Sequence, residues 1–179
     1  KNFGADMLRL WVVASDYSED LKIDKAILNQ HAESYRKIRN TLRFLLGNLN
    51  DKLLNDDFSK IEYSKLSSLE KYILTQVYDF DLRFRDYIKS YNFHKIYIEL
   101  LNFCTLDLSA FYFDIKKDIL YCDSENSQRR NNCLEVLNVL INFLLKWFSP
   151  ILAFTSEEAY QVIKNKKYKF VLINFHKYL

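Results

Sequence analysis

Apolar residues recur every three or four positions along most of the chain, which is the spacing of one face of an α-helix. The pattern predicts a short helix that starts near Ala5 and a final helix over about residues 155–164. Long helices are predicted over about residues 25–49, 68–91, 93–109 and 127–148. Residues 111–121 are predicted to form a short helix or turn, and residues 50–63 a polar loop that Phe58 and Ile61 hold to the core.

Residues that cap helices precede most of these segments. Asp24 stands before the second helix, and Ser67 followed by Glu70 three residues later has the spacing of a capping box. Further capping signals are Asn92, Ser149 followed by Pro150, and a second capping box over residues 155–158 (TSEE). Residues 170–175 are predicted to form a strand or an extended tail.

Turn-forming residues are scarce, since the 179 residues include only 2 Gly and 1 Pro. This scarcity disfavours a turn-rich β architecture and favours long, uninterrupted helices. Hydrophobic residues make up 49% of the chain, which at this length is enough for one domain with a sizeable core. We therefore predict an all-α fold, a helical bundle.

Catalytic signatures do not occur in the sequence: there is no nucleophile elbow, P-loop, dinucleotide fingerprint or zinc-protease motif. The three histidines are far apart. Three cysteines without a C-x-x-C pair predict free thiols in a reducing, cytoplasmic environment, and neither a zinc site nor a disulfide framework. No apolar run of transmembrane length is predicted. A binding role therefore fits the residues better than catalysis.

The charge pattern indicates a local basic surface. A net charge of +3 and an isoelectric point near 8.6 are too mildly basic to mark a nucleic-acid binder by themselves. Within the second helix, however, Arg36, Asn40 and Arg43 share a stripe, with Arg39 beside it. The opposite stripe is apolar and consists of Tyr35, Ile38, Leu42, Leu45, Leu46 and Leu49.

A second basic group is interleaved with aromatic residues. Lys116, Lys117 and Tyr121 follow an aromatic run, and Arg129 and Arg130 lie in the predicted first turn of the next long helix. Aromatic rings with nearby lysines can stack bases and hold phosphates. The residues alone leave a second interpretation open for both groups, in which they are solvated helix faces and the rim of the core.

Several stretches resemble the anticodon-binding domain of the bacterial-type isoleucyl-tRNA synthetase family, whose members are class Ia aminoacyl-tRNA synthetases. Residues 34–46 (SYRKIRNTLRFLL) are similar to the most recognisable helix of that domain, and residues 3–11 (FGADMLRLW) to a segment after the KMSKS loop. Three more stretches follow in the expected order: YNFH at 91–94, DIKKD at 114–118 and SPILAFTSEE at 149–158. The sequence departs from the family after Asp118, where an Arg is common and Ile119 stands.

The resemblance implies a helical domain that binds the anticodon stem-loop of the isoleucine tRNA, in an enzyme that uses ATP to charge this tRNA with isoleucine. Residues 1–23 would be a junction after a catalytic domain and residues 24–179 the helical domain, with an extended tail over 165–179. The family's catalytic motifs do not occur here, so we expect no activity from this chain alone.

The resemblance also implies the partners and the site. Partners would be the isoleucine tRNA and the catalytic and C-terminal domains of the same protein, without a membrane. ATP, Mg²⁺ and zinc belong to the longer enzyme, and no cofactor is expected in this chain. Arginine and lysine would neutralise phosphates, and Asn40 would reach a base edge or a sugar hydroxyl. The residues expected at the tRNA are Arg36, Arg39, Asn40, Arg43, Lys116, Lys117, Tyr121, Arg129 and Arg130.

Two alternatives remain open at this point. The chain could be the corresponding domain of a related branched-chain synthetase, since the valyl and leucyl relatives share the helical architecture. It could also be a structural module whose basic stripe docks against another domain of the same protein, without contact to RNA.

Overall fold

The structure is a computed structural model that describes residues 4–17, 20, 21, 23–49, 58 and 61–166. Within these ranges the secondary structure is helical, which confirms the predicted all-α bundle, and the proposed strand or tail at 170–175 lies outside them. The helices are α1 (Ala5–Ala14), α2 (Lys25–Asn48), α3 (Ser68–Lys89), α4 (Phe93–Cys122), α5 (Gln128–Phe148) and α6 (Ala153–Lys166), with a 3₁₀ turn at Tyr63–Lys65.

Local capping fixes the starts of α2 and α3 as the sequence predicts. The Asp24 carboxylate accepts a hydrogen bond from the Ile27 amide at 2.7 Å. Ser67 and Glu70 form the complete capping box at the start of α3. Asn92 stands at the N-cap position of α4, as predicted, but its side chain makes no capping hydrogen bond.

Helix α4 is one continuous helix, where the sequence predicted a helix to residue 109 and a separate short element. No Gly or Pro interrupts residues 93–122, and the helix continues through a π-helical segment, Phe103–Tyr112. A π turn holds more residues than an α turn and so rotates the side chains that follow. This rotation hides the 3.6-residue period on which the prediction relied.

By length and mean hydropathy, α4 also meets the criteria for a membrane-spanning helix, which the sequence analysis did not predict. The core helix of a bundle meets the same criteria. In this fold, the buried side of α4 packs against α2, α3 and α5.

The core surrounds α5, whose side chains are buried along almost the whole helix. Near its end, the Trp147 ring packs edge-on against Phe80 of α3, with ring centroids 4.6 Å apart. Its indole N–H donates to a carboxylate oxygen of Asp81 at 3.1 Å. Cys104 and Cys133 are buried, Cys122 is exposed, and all three are free thiols, as predicted.

Helix α1 packs against α2, α4 and α6 and holds the turn between α5 and α6. The Arg9 guanidinium donates to the carbonyls of Ile151 at 2.9 Å and Pro150 at 2.6 Å. Ser149 and Pro150 therefore lie in a turn and do not open a helix, contrary to the sequence prediction. In the polar loop between α2 and α3, the Phe58 ring stacks on Phe143 and Ile61 packs on the core, as predicted.

Candidate nucleic-acid interface

The outer face of α2 is a continuous solvent-exposed row. Arg36, Asn40, Arg43 and Gly47 follow one another at three- and four-residue steps, and all four are exposed. The opposite side of the helix enters the core through Ile38, Leu42 and Leu45, each 3% exposed or less. Burial of that side therefore fixes the direction in which the basic row points. We call Arg36, Lys37, Asn40, Arg43 and Gly47 the α2 row.

Most polar side chains of the α2 row make no hydrogen bond or ion pair with the described residues. Arg36 forms an ion pair with Glu33, one turn before it, and both side chains are more than 60% exposed. The side chains of Lys37, Asn40 and Arg43 form no hydrogen bond or ion pair with the described residues. An exposed ion pair is worth about 0–1 kcal/mol, so Arg36 can exchange Glu33 for another anion at little cost.

Arg39, the fourth predicted residue of α2, supports the fold. Its guanidinium donates to both carboxylate oxygens of Glu158 on α6, at 2.8 and 3.1 Å, and to the Tyr35 hydroxyl at 3.1 Å. The hydrogen bond from Arg39 is the main cause that lowers the pKa of Glu158. The bidentate geometry fixes the guanidinium against α6. We therefore leave Arg39 out of the α2 row.

Lys116 lies inside the bundle, where its side chain is 5% exposed. Its ammonium donates to a carboxylate oxygen of Glu70 at 2.6 Å, and the other Glu70 oxygen accepts from the Ser67 amide at 2.8 Å. Burial would raise the pKa of Glu70, but the hydrogen bonds from Lys116 and Ser67 together lower it. In this position Lys116 joins α4 to the start of α3 and is not accessible to a ligand.

Lys117 and Tyr121 follow two residues of α4 that contact α2. Ser109 and Phe113 touch α2 directly: the Ser109 hydroxyl is 3.1 Å from that of Thr41, and the Phe113 ring stacks on Phe44 at 4.2 Å. Lys117 and Tyr121 continue this row at four-residue steps. Lys117 is exposed and paired with Asp114, and Tyr121 is 64% exposed. From this spacing we expect them to lie on the same side of the molecule as the α2 row.

Arg129 and Arg130 lie in the first turn of α5, directly after the turn that joins it to α4. Arg129 is exposed and lies 3.4 Å from the Asp123 carboxylate. Arg130 is half-buried, and its Nε donates to the carbonyl of Leu120 at 3.2 Å, in the last turn of α4. A cation is unfavourable in the first turn of its own helix but stabilising at the C-terminus of another, so the contact with α4 explains the arginine at the start of α5. Arg130 thus has a structural role, whereas Arg129 remains available.

Sequence reasoning missed Lys37 and Gly47 as members of the surface. Lys37 lies within residues 34–46 and one turn before Thr41, on the edge of α2 that faces α4. The exposed side of α2 could have been inferred from the polar positions that lie opposite its apolar stripe. Among the described residues, no cluster of three His, Cys, Asp or Glu side chains is arranged to hold a metal ion. The chemistry of this surface is that of cations, an amide and an exposed phenol ring.

Comparisons with known proteins are consistent with this surface. A sequence model of the family described as "Anticodon-binding domain of tRNA ligase" matches residues 70–177, more than half of the chain. Isoleucine–tRNA ligases from three bacteria are similar to nearly the whole chain. The one from Pelagibacter ubique is 54% identical over 99% of the chain, that from Carboxydothermus hydrogenoformans 42% over 99%, and that from Wigglesworthia glossinidia brevipalpis 40% over 96%. The chain spans about a fifth of the length of these relatives, 20%, 19% and 18% respectively.

Proposed function

Because the chain belongs to the family of anticodon-binding domains of tRNA ligases, we propose that it binds the anticodon stem-loop of the isoleucine tRNA. The whole protein is then an isoleucine–tRNA ligase that uses ATP to join isoleucine to its tRNA. Relatives that carry this name match the chain from end to end, which supports the choice of amino acid. We keep residues 1–23 as a junction to a catalytic domain and the cytoplasm as the location, as the sequence analysis predicted.

The observation that carries the proposal is that the cations of the α2 row are exposed and largely without anionic partners among the described residues. Lys37 and Arg43 have no anionic partner among the described residues, and Asn40 offers an amide between them. Phosphate contacts position a nucleic acid, whereas amides and exposed rings can reach bases and sugars. The proposed interface comprises the α2 row with Lys117, Tyr121 and Arg129, and it leaves out Arg39, Lys116 and Arg130.

Charge reversal at Arg43 tests the proposal. We expect Arg43→Glu to weaken binding of the isoleucine anticodon stem-loop by about tenfold or more, because a hydrogen bond to a charged group is worth about 1.5–3 kcal/mol. Titration of a fluorescent stem-loop measures the dissociation constant, and circular dichroism checks the fold. The matched control is Lys89→Glu, which makes the same charge change at a lysine with a 78% exposed side chain at the end of α3.

Equal effects of the two variants would show that only net charge matters and would contradict the proposed interface. Absence of stem-loop binding by the unaltered chain would contradict the function itself. A valine stem-loop, tested in parallel, distinguishes the isoleucine assignment from that of a related branched-chain synthetase. If the basic row docks another domain of the protein, the chain will bind the detached catalytic part and neither stem-loop.

A further inference from the structure

Gly47 occupies a position in α2 where the fold does not require glycine. A Cβ added to it would meet no atom of the described residues within 4 Å. Its backbone does not adopt the left-handed conformation that favours glycine, since no glycine here has a positive φ. Glycine inside a helix is also less stable than alanine. Fold stability alone would therefore favour a larger residue at this position.

Gly47 is not the terminating glycine of α2 either. Such a residue stands just after the last helical turn, in the left-handed conformation. Here the helix continues to Asn48, and Leu49 follows in an extended conformation, with φ −89° and ψ 129°. The missing side chain thus leaves the backbone of the last turn of α2 uncovered by the described residues on the outer side of the helix.

The surroundings of this uncovered backbone belong to the proposed interface. Arg43 lies four residues before Gly47 on the same exposed row, about 6 Å along the helix. Asn40 lies one turn earlier. On the neighbouring helix, Lys117 follows Phe113, whose ring stacks on Phe44 near the end of α2. Gly47 is therefore the one member of the α2 row that offers only main-chain atoms.

The C-terminal end of a helix carries partial negative charge and carbonyl groups that lack partners within the helix. This end disfavours a phosphate and favours a hydrogen-bond donor. In RNA, the 2′-hydroxyl of the ribose is such a donor, and it lies beside the phosphates that Arg43 would hold.

We propose that Gly47 is a point of close approach, where the ribose of one nucleotide of the bound stem-loop lies directly against the backbone of α2. Its 2′-hydroxyl donates to a main-chain carbonyl of the last turn, while Arg43 holds a neighbouring phosphate. This inference rests on the proposed function and adds to it a subsite for RNA as opposed to DNA.

The test is Gly47→Ala, for which stability and binding should change in opposite directions. The added methyl group should raise the melting temperature by about 1–2 °C, because alanine favours the helix. It should weaken stem-loop binding by about fivefold or more, since overlap with a closely packed ligand costs as much as overpacking. The slope of log affinity against log salt should stay unchanged, because no cation is removed.

The matched control is Gly4→Ala at the chain's other glycine, which also faces open space among the described residues and stands just before α1, outside the α2 row. It should leave binding unchanged. Wild-type affinity of Gly47→Ala, with Arg43→Glu still impaired, would overturn this inference and leave the proposed function intact. Failure of the unaltered chain to bind the stem-loop would overturn both. A stem-loop with deoxyribose in the loop should bind more weakly to the wild-type chain and lose less on Gly47→Ala.

Discussion

At the scale of single residues, two adjacent lysines illustrate how the fold separates structural from surface charges. Lys116 is buried against Glu70, whereas Lys117 is exposed beside Asp114. Lys116 lies four residues after the buried Tyr112 and four before the buried Leu120. That row became visible only with the structure, because the sequence had left residues 111–121 as a short helix or turn of unknown face.

We expect Lys116→Met to destabilise the protein by about 3–5 kcal/mol, because it leaves the Glu70 carboxylate buried without its partner. The free energy of unfolding, from urea titrations followed by circular dichroism, measures this loss. Lys117→Met is the matched control, since its ion pair is exposed to solvent and contributes little to stability. Similar losses for the two variants would mean that Lys116 does not pair with Glu70 in solution.

For stem-loop binding we expect the reverse order of effects, with the larger loss of affinity for Lys117→Met. Lys117→Met should weaken binding, because it removes a cation of the proposed interface. Lys116→Met should leave the affinity of the folded fraction unchanged, measured at a temperature at which the variant is folded.

At the scale of the elements, the accuracy of the sequence predictions depended on how local the determinant was. The start of α2 at Asp24 and the start of α3 at Ser67 follow from residues within one turn, and both predictions were correct. The start of α6 was predicted at residue 155, whereas the helix begins at Ala153. Its cap comes from Asp6 on α1, far away in the sequence, which no local spacing can reveal.

The Asp6 carboxylate accepts hydrogen bonds from the Phe154 amide at 3.3 Å, the Thr155 amide at 2.8 Å and the Thr155 hydroxyl at 2.7 Å. Asp6 itself is 6% exposed. A single side chain therefore caps α6 and joins it to α1. The Thr155 hydroxyl lies in addition 2.7 Å from that of Tyr35, which extends the connection to α2.

We expect Asp6→Asn to cost about 2 kcal/mol of unfolding free energy, since hydrogen bonds to a charged acceptor are lost at a buried site. Asp24→Asn offers a matched control: it is also an aspartate that caps a helix, but it is exposed, and asparagine caps equally well. Its cost should stay below about 0.5 kcal/mol. Urea unfolding of both variants measures their unfolding free energies. Equal losses would contradict a larger contribution of the buried cap at Asp6.

At the scale of the whole molecule, the basic residues fall into two groups: those that join structural elements and those that are exposed to solvent. Arg9, Arg39, Lys116 and Arg130 make contacts between elements. The remaining cations of the predicted site are exposed on α2, on α4 and at the start of α5. Sequence stripes identified α2 as the central basic element. They could not distinguish structural from exposed cations, because contacts such as Arg39 with Glu158 join residues 119 positions apart.

This division predicts how the binding of the molecule depends on salt. If Arg36, Lys37, Arg43 and Lys117 each neutralise one phosphate, log affinity should fall against log salt with a slope of about −3. Titrations of the isoleucine stem-loop at salt concentrations between about 50 and 200 mM measure this slope. Arg43→Gln should make it shallower by about one unit.

Lys89→Gln removes the same charge from α3 and should leave the slope unchanged, because Lys89 lies outside the proposed interface. A wild-type slope near zero would mean that the surface binds its partner without releasing counterions. In that case, the exposed cations of α2 would be solvated side chains, and contact with RNA would have to occur elsewhere on the chain.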